Sequence, residues 1–234
     1  MMIVDFHSHI LPNVDDGSAS VEKSVEMLEL EAQQGIQHVI ATPHFYPQHD
    51  DPKRFLARRE EAFSRLQEKI ADRTDLPKVT VGAEVYFFHG ISECDFLPHL
   101  TIGGKNCILI EMVGSVWSDR MYRELRDIRE KQDLIPIIAH IDRYITPVNA
   151  SGVLARLEEL PVFVQANAEP FLHFSTRGML LRGLRADQIH LLGSDCHDTA
   201  SRKPNLADAV KVIEKRLGRE ALEQICRYQQ MLLD

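Results

Sequence analysis

Short β-branched or apolar runs alternate with longer amphipathic stretches along most of this 234-residue chain. The apolar runs have the length and composition of buried strands, and no Pro/Gly-rich linker or low-complexity segment interrupts the alternation. We predict seven strands, over residues 3–7, 38–42, 79–87, 107–112, 135–140, 161–168 and 189–195.

Helical periodicity marks the stretches between most of these strands. The clearest example spans residues 20–34, where Val21, Val25 and Leu28 share one face. Gly35 follows at the position where a glycine commonly ends a helix. Further helices are predicted over residues 52–73, 119–132, 150–160, 176–185, 205–217 and 220–232.

Strands that alternate with helices form right-handed βαβ units and a parallel sheet. Seven such units are enough to close, so we predict an α/β fold, a (β/α)7 TIM-like barrel, in a single domain over residues 1–234. A doubly wound open sheet is the alternative, because a local pattern does not show whether a sheet closes. Either architecture gathers functional groups at the carboxyl ends of the strands.

The composition is that of an ordinary globular protein, and it excludes several classes of function. A formal net charge of -8 argues against a broad nucleic-acid surface, which needs a basic face. No run of 18 apolar residues is present to insert into a membrane. The N-terminal segment places Asp5, His7 and His9 where a signal peptide needs its apolar centre. The four cysteines are scattered, so we expect no disulfides and a cytoplasmic protein.

Side chains that bind metals occur at the carboxyl end of strand after strand. They comprise five histidines and four acidic residues: His7, His9, Asp16, His44, Glu84, Glu111, His140, Asp195 and His197. Residues i and i+2 of an extended chain point to the same side, so His7 can act with His9, and Asp195 with His197.

Each of these residues also has an ordinary structural explanation. A single histidine near a strand end is usually a partly buried residue without a ligand, and a buried glutamate can belong to an ion pair. Yet Glu84 and Glu111 lie in apolar strands, where a charge without compensation is costly. A cation cluster explains all nine residues together, and we therefore favour it.

Nine ligands exceed what one ion holds, since zinc takes about four and octahedral ions about six. Two or three divalent cations are therefore expected. Imidazole and carboxylate ligands together suit Mn, Fe or Zn better than Ca or copper. Four carboxylates against three divalent cations leave about two positive charges, which would attract an anionic substrate such as a phosphate.

Two arginines and several aromatic residues follow the same strand ends. Arg143 and Arg202 are placed to reach the rim of the centre, where a guanidinium group matches a phosphate in geometry and charge. Exposed arginines are otherwise commonly solvated surface cations. Four aromatic residues in these loops could line a substrate cleft or equally cap the core: Phe45, Tyr46, Trp117 and Tyr144.

These motifs, taken in order, resemble those of the PHP (polymerase and histidinol phosphatase) superfamily of metal-dependent phosphoesterases. The resemblance extends from residue 3 to about residue 204 and rests on HSHILPNVDDG, ATPH, GAE, LIE, AHIDRY and GSDCH followed by Arg202. Within the superfamily, the chain is most similar to the bacterial tyrosine phosphatases encoded with capsular and exopolysaccharide biosynthesis genes.

The resemblance implies a trinuclear site on a distorted (β/α)7 barrel, with the nine residues above as metal ligands. Arg143 and Arg202 would contact phosphate. The implied substrate is the phosphotyrosine-containing tail of a cognate bacterial tyrosine autokinase that controls polysaccharide synthesis. Asp142 and Asp198 depart from the family pattern, in which Glu and Asn are commoner at these positions, and neither is a ligand position.

Two alternative functions remain open at this point. A histidinol-phosphate phosphatase would share the ligand set, although this chain is shorter than expected for that subgroup and lacks a long insertion to enclose a small substrate. A catalytically silent regulatory domain of the same fold would normally have lost some ligands, whereas all nine are present here.

The segment from Cys196 to Arg202 also has the C-x5-R spacing that cysteine-dependent phosphatases use. Alternation along the strand would turn the thiol away from Asp195 and His197. The five residues between Cys196 and Arg202 include no glycine that would let the backbone wrap a phosphate. The spacing is therefore interpreted as coincidence.

Cys196→Ser should accordingly leave aryl phosphatase activity nearly unchanged, whereas Asp195→Ala or His197→Ala should nearly abolish it, because only the latter two remove metal ligands. Steady-state hydrolysis of an aryl phosphate by the three variants checks this. A large loss of activity in Cys196→Ser alone would reverse the interpretation.

Overall fold

Strands and helices alternate along most of the computed structural model, which describes residues 3–114 and 116–234. The strands are β1 (Val4–Ser8), β2 (His38–Ala41), β3 (His44–Phe45), β4 (Lys78–Val81), β5 (Glu84–Tyr86), β6 (Cys107–Glu111), β7 (Ile135–Ile138), β8 (Phe163–Asn167) and β9 (Leu191–Gly193). The helices are α1 (Val21–Gln33), α2 (Pro52–Ile70), α3 (Asp119–Gln132), α4 (Ala150–Glu158), α5 (Glu169–Leu172), α6 (Phe174–Arg185), α7 (Leu206–Leu217) and α8 (Arg219–Leu233). Short 3-10 helices cover Ile91–Glu93, Leu97–Leu100, Ile102–Gly104 and Ile141–Arg143.

All of the strand pairs are parallel, as predicted. One sheet has the order β1-β2-β4, and the other has the order β3-β5-β6-β7-β8-β9. The last strand lies beside the first, since the Asp195 N–H donates to the carbonyl of His7 (2.7 Å) and the His9 N–H to that of Cys196 (2.9 Å). The parallel sheet therefore curls in the manner of a TIM-like fold.

The structure differs from the prediction at two strand positions. The single strand expected over residues 79–87 is divided into β4 and β5 at Gly82 and Ala83, and a second short strand, β3, follows β2 after Pro43. Proline lacks the N–H that would continue a ladder. A side chain at Gly82 would lie 2.9 Å from Ile102, so the chain passes close to its neighbour there. Each break changes the direction in which the following side chains point, including those of His44 and Glu84, which begin β3 and β5.

Apolar side chains pack on both faces of the strands, and neighbouring strand residues belong to different clusters. Ile40, Leu109 and Leu191 join the smaller cluster, which consists mainly of strand residues. Val39, Ile108 and Leu192 join the larger cluster together with helix residues such as Met27 and Leu125. Because both faces are covered, the strands are apolar runs, and the polar residues concentrate at their carboxyl ends.

No helix in the described part of the chain is both long and apolar enough to cross a membrane.

Candidate metal centre

The first two histidines lie side by side at the end of β1. The Nε2 atoms of His7 and His9 are 3.1 Å apart, and both rings are fully buried. Oε2 of Glu84 lies 3.2 Å from the first and 3.3 Å from the second. Oδ1 of Asp195 lies 3.6 and 3.4 Å from the same two nitrogens. The end of β1, the start of β5 and the segment after β9 thus bring four ligand groups around one small space.

Glu84 lies at the middle of the wider cluster. Its Oε2 is 2.9 Å from Nδ1 of His44, and its Oε1 is 2.8 Å from Nε2 of His140. Glu111 approaches the same two rings, at 3.9 Å from His44 and 3.6 Å from His140. Burial alone would raise the pKa of Glu84, but the surrounding imidazoles, His7 above all, outweigh it and hold this pKa well below its usual range.

A third group of ligands lies towards solvent. Oδ1 of Asp16 is 3.4 Å from Nε2 of His197 and 3.6 Å from Nε2 of His44. The ring centroids of His9 and His197 are 3.9 Å apart, so this group adjoins the buried one. The Asp16 side chain is 67% exposed, which leaves the centre open on this side. All nine predicted ligand residues therefore converge in one cluster.

The donor set fits divalent cations. Three overlapping groups have ligand atoms within 4.8 Å of one another: His7, His9 and Asp195; His44, Glu84 and Glu111; and His9, Asp16, His44 and His197. Oε2 of Glu84, Oε2 of Glu111 and Nε2 of His197 are buried and lie near other ligand atoms, but they make no hydrogen bond of acceptable geometry with the described residues. Buried polar atoms of this kind are normally paired, and a bound cation would pair them.

Arg143 and Arg202 contact the same carboxylate from the open side. Nη2 of Arg143 pairs with Oδ2 of Asp195, and Nη2 of Arg202 lies 2.9 Å from Oδ1 of that carboxylate. Their side chains are 42% and 40% exposed. A cavity of about 170 Å³ adjoins both guanidinium groups and is also lined by Lys203 and Asn205. Cationic donors therefore border the open side of the cluster.

Among the four predicted aromatic contacts, Tyr46 lies nearest the opening. It is half-buried, and its ring stacks on that of His44 with centroids 5.0 Å apart. Phe45, by contrast, is fully buried against Phe55 and Phe96. Neighbouring strand residues point to opposite faces of the sheet. His44 and Tyr46 therefore face the centre, while Phe45 points into the core. In this conformation Phe45 offers no surface to a substrate, and its predicted role is corrected to core packing.

Trp117 and Tyr144 lie beneath the rim. Their ring centroids are 5.2 Å apart, and Tyr144 lies 5.5 Å from the ring of His140. The Tyr144 hydroxyl accepts the N–H of Met112 (3.0 Å), and both rings are more than nine-tenths buried. They support His140 from behind, with little area left for direct contact with a substrate.

Asp15 was missed in the sequence, where only Asp16 was considered. Its Oδ2 accepts hydrogen bonds from Nδ1 of His9 (2.7 Å) and from the N–H of His44 (2.9 Å). This bond places the proton on Nδ1 of His9 and leaves Nε2 free to face the centre. Although burial opposes it, His9 holds the pKa of Asp15 well below its usual range. The two adjacent aspartates in VDDG were the available signal, but a loop has no periodicity to show which one turns inwards.

Gln165 and Asn167 on β8 were also missed. Oε1 of Gln165 accepts the N–H of His140 (2.6 Å) and lies 3.3 Å from Nδ1 of His7. The amide of Asn167 donates to Oδ2 of Asp195 (2.9 Å). Polar residues at alternate positions of the otherwise apolar FVQAN strand were the signal. Both residues orient ligand side chains through hydrogen bonds.

The two departures from the family pattern both have structural roles. Oδ1 of Asp142 accepts the N–H of Asn167 (2.7 Å), which joins the loop after β7 to β8. Oδ1 of Asp198 accepts the backbone N–H groups of Ala200 (2.6 Å) and Arg202 (3.0 Å). Asp198 therefore shapes the turn that carries Arg202 back to the centre.

Cys196 points away from this centre. It is fully buried, and its sulfur lies close to the carboxyl groups of Asp5 and Glu31. Burial and these two groups raise the pKa of the thiol well above its usual range. Such a thiol is a poor nucleophile, which agrees with the interpretation of the C-x5-R spacing as coincidence.

The family described as "Capsular polysaccharide synthesis, CpsB/CapC" has a profile that matches residues 3–233 of this chain. Among curated proteins, the chain is 25% identical over 236 residues to the tyrosine-protein phosphatase CpsB of Streptococcus agalactiae serotype III (strain NEM316), covering 95% of this chain and 94% of that protein. It is 27% identical over 241 residues to the tyrosine-protein phosphatase YwqE of Bacillus subtilis (strain 168), covering 99% of this chain and 91% of that protein.

A solved structure is similar over nearly the whole chain. Its description is "Crystal structures of YwqE from Bacillus subtilis and CpsB from Streptococcus pneumoniae, unique metal-dependent tyrosine phosphatases". The TM-score is 0.85 at 26% identity, over 99% of this chain and 94% of that one. The similarity therefore covers every segment that contributes to the candidate centre.

Asp15→Ala should weaken Mn²⁺ binding by roughly 10–100-fold, because Nδ1 of His9 loses the acceptor that fixes its tautomer and orientation. Asp15→Asn should lose less, since its carbonyl oxygen can still accept from His9. Titration calorimetry with Mn²⁺ measures both, with the exposed Asp72→Ala as a matched control. Wild-type affinity in Asp15→Ala would contradict the assigned role.

Proposed function

Because the chain belongs to the CpsB/CapC family of capsular polysaccharide synthesis, we propose that it is a metal-dependent phosphatase that hydrolyses phosphotyrosine in a protein. Relatives similar over almost their whole length are named tyrosine-protein phosphatases. The observation that carries the proposal is the convergence of nine imidazole and carboxylate side chains with two arginines at the open side.

The proposed cofactors are two or three divalent cations, with Mn or Fe favoured and Mg or Zn as alternatives. The ligands are the nine residues predicted from the sequence: His7, His9, Asp16, His44, Glu84, Glu111, His140, Asp195 and His197. Glu84 would contribute to more than one cation site, since its Oε2 faces His7 and His44 and its Oε1 faces His140. When bound, such cations supply an activated water at neutral pH and stabilise the negative charge of the phosphoryl oxygens.

Arg143 and Arg202 bind the phosphoryl group in this proposal. Both guanidinium groups lie at the carboxylate of Asp195 and line the adjoining cavity, and Nη1 of Arg143 also lies 3.8 Å from Oε1 of Glu111. An arginine can donate two parallel hydrogen bonds to phosphate oxygens, and these bonds strengthen as charge develops in the transition state. The turn formed by Asp198 and the 3-10 helix Ile141–Arg143 hold the two side chains in place.

Tyr46 is the proposed contact for the substrate ring. It already stacks on His44 and lies 5.5 Å from the ring of Tyr86, so an aromatic wall borders the centre. Trp117 and Tyr144 act indirectly, through His140. The leaving phenol of phosphotyrosine has a pKa of about 10, so the phenolate can leave with little assistance from a general acid.

The fold proposed for this site is a distorted (β/α)7 barrel in one domain over residues 1–234. If β2 with β3, and β4 with β5, are each counted as one interrupted strand, seven strand positions result. Backbone hydrogen bonds across both interruptions support this count: Gly82 N–H to Ala41 O is 2.8 Å and Glu84 N–H to Pro43 O is 3.0 Å.

The proposed biological partner is the phosphotyrosine-containing tail of a cognate bacterial tyrosine autokinase. Removal of its phosphates would regulate capsule or exopolysaccharide synthesis, which agrees with the description of the family. The open side of the centre, with exposed Asp16 and two half-exposed arginines, suits a flexible protein segment better than an enclosed small molecule. The four cysteines form no disulfide, in keeping with a reducing compartment such as the cytoplasm.

The test is hydrolysis of phosphotyrosyl peptides by metal-loaded protein, measured as phosphate release. We expect turnover that a chelator abolishes, that added Mn²⁺ restores and that thiol alkylation leaves intact, because the cations and not a cysteine supply the chemistry. Histidinol phosphate is the control substrate and should be turned over far more slowly.

Full activity after thorough removal of metal would contradict the proposal. Faster turnover of histidinol phosphate than of the peptides would favour a histidinol-phosphate phosphatase. Metal-loaded protein that hydrolyses neither substrate would favour a silent regulatory domain.

A further inference from the structure

A second acidic cluster lies directly behind the metal centre. Oxygen atoms of Asp5 and Glu31 and the sulfur of Cys196 lie within 4.8 Å of one another, and all three residues are fully buried. Asp5 belongs to β1, two residues before His7, while Glu31 comes from α1 and Cys196 follows Asp195. The cluster therefore adjoins both chain segments that carry paired ligands.

Asp5 connects these two segments through a single oxygen. Its Oδ1 accepts the backbone N–H of Ser194 (2.8 Å) and that of His7 (3.1 Å). The residue after Ser194 is the ligand Asp195, whose own N–H donates to the carbonyl of His7 (2.7 Å). The position of Asp5 thus fixes how the end of β1 and the segment after β9 meet.

The remaining carboxyl oxygens of Asp5 and Glu31 accept no hydrogen bond from the described residues. Oδ2 of Asp5 and both carboxyl oxygens of Glu31 are buried with no hydrogen-bond partner among the described residues. Two ionised carboxylates at such a distance, away from water, would repel each other strongly. A single proton removes this conflict, because a neutral carboxyl group can donate to its ionised neighbour.

The environment of the two groups indicates where that proton resides. Burial and the charge of Asp5 raise the pKa of Glu31 well above its usual range. Oδ1 of Asp5 accepts two backbone N–H groups, which favour the ionised form of Asp5, whereas the carboxyl oxygens of Glu31 accept none from the described residues. Glu31 is therefore the neutral member, and Asp5 is the acceptor of the backbone N–H groups.

We propose that Glu31 is a positioning residue for the metal centre: its carboxyl group donates to Oδ2 of Asp5, which holds Oδ1 against the N–H groups of His7 and Ser194. This inference rests on the metal centre in the proposed function. Glu31 contacts neither the cations nor the substrate. It acts through Asp5 on the backbone from which His7 and Asp195 project.

The test compares Glu31→Gln with Glu31→Leu. The glutamine amide can still donate to Asp5, whereas leucine fills a similar volume without a donor. We expect Mn²⁺ affinity, measured by titration calorimetry, to stay within about threefold of wild type in Glu31→Gln and to fall at least tenfold in Glu31→Leu. Glu26→Gln, an exposed glutamate on the same helix, is the matched control and should match wild type.

Hydrogen exchange of the metal-free variants gives a readout that does not depend on metal binding. The backbone amides of His7 and Ser194 should exchange faster in Glu31→Leu than in Glu31→Gln, with the α1 amides unchanged. A general loss of structure in Glu31→Leu would instead accelerate exchange throughout α1 and β1, and would contradict a positioning role.

Wild-type affinity and exchange in Glu31→Leu would overturn the inference while leaving the proposed function intact. Equal loss of affinity in both variants, or one fewer Mn²⁺ per chain in each, would also overturn it, because the negative charge of Glu31 would then be the required feature and the cluster itself a cation site. A wild-type chain that binds no Mn²⁺ would contradict the proposed function first.

Discussion

The buried carboxylate of Glu84 is the constraint on which the rest of the centre depends. It lies within 3.3 Å of nitrogen atoms from four imidazoles, those of His7, His9, His44 and His140. An isolated carboxylate at such a depth costs several kcal/mol even after relaxation, and imidazoles compensate it only as far as they are protonated. Divalent cations would satisfy the carboxylate and the nitrogen lone pairs together, so the same residues that are costly without metal become an efficient ligand set with it.

The centre also joins the ends of the chain. His7 and His9 come from the first strand, and Asp195 and His197 follow the last one, with backbone hydrogen bonds between the two segments. Cations held by both segments would bind the folded state and not the unfolded chain, so metal binding stabilises the fold by mass action. Asp195 has a further role, because its carboxylate faces His7 on one side and both arginines on the other.

Much of this arrangement could be predicted from the sequence, because apolar strands and their polar ends follow simple periodicities. Most of the nine candidate ligands lie in or just after strands near the carboxyl-terminal edge of the parallel sheet, which brings them together, while Asp16 comes from the loop after β1. For Phe45, alternation along β3 separates its side chain from those of His44 and Tyr46, and this favours core packing over contact with a substrate. Asp15 and Gln165 could not be assigned, since their roles depend on which side chain a loop turns inwards and on contacts between distant strands.

The most direct test of the account is the anomalous diffraction of crystals grown with Mn²⁺. We predict two or three Mn²⁺ peaks within the cluster of nine ligands, with at least one cation within about 2.5 Å of a Glu84 oxygen. Density for Mn²⁺ that avoids Glu84 at saturating metal, or no peak in the cluster at all, would contradict the central claim that this carboxylate is buried in order to hold cations.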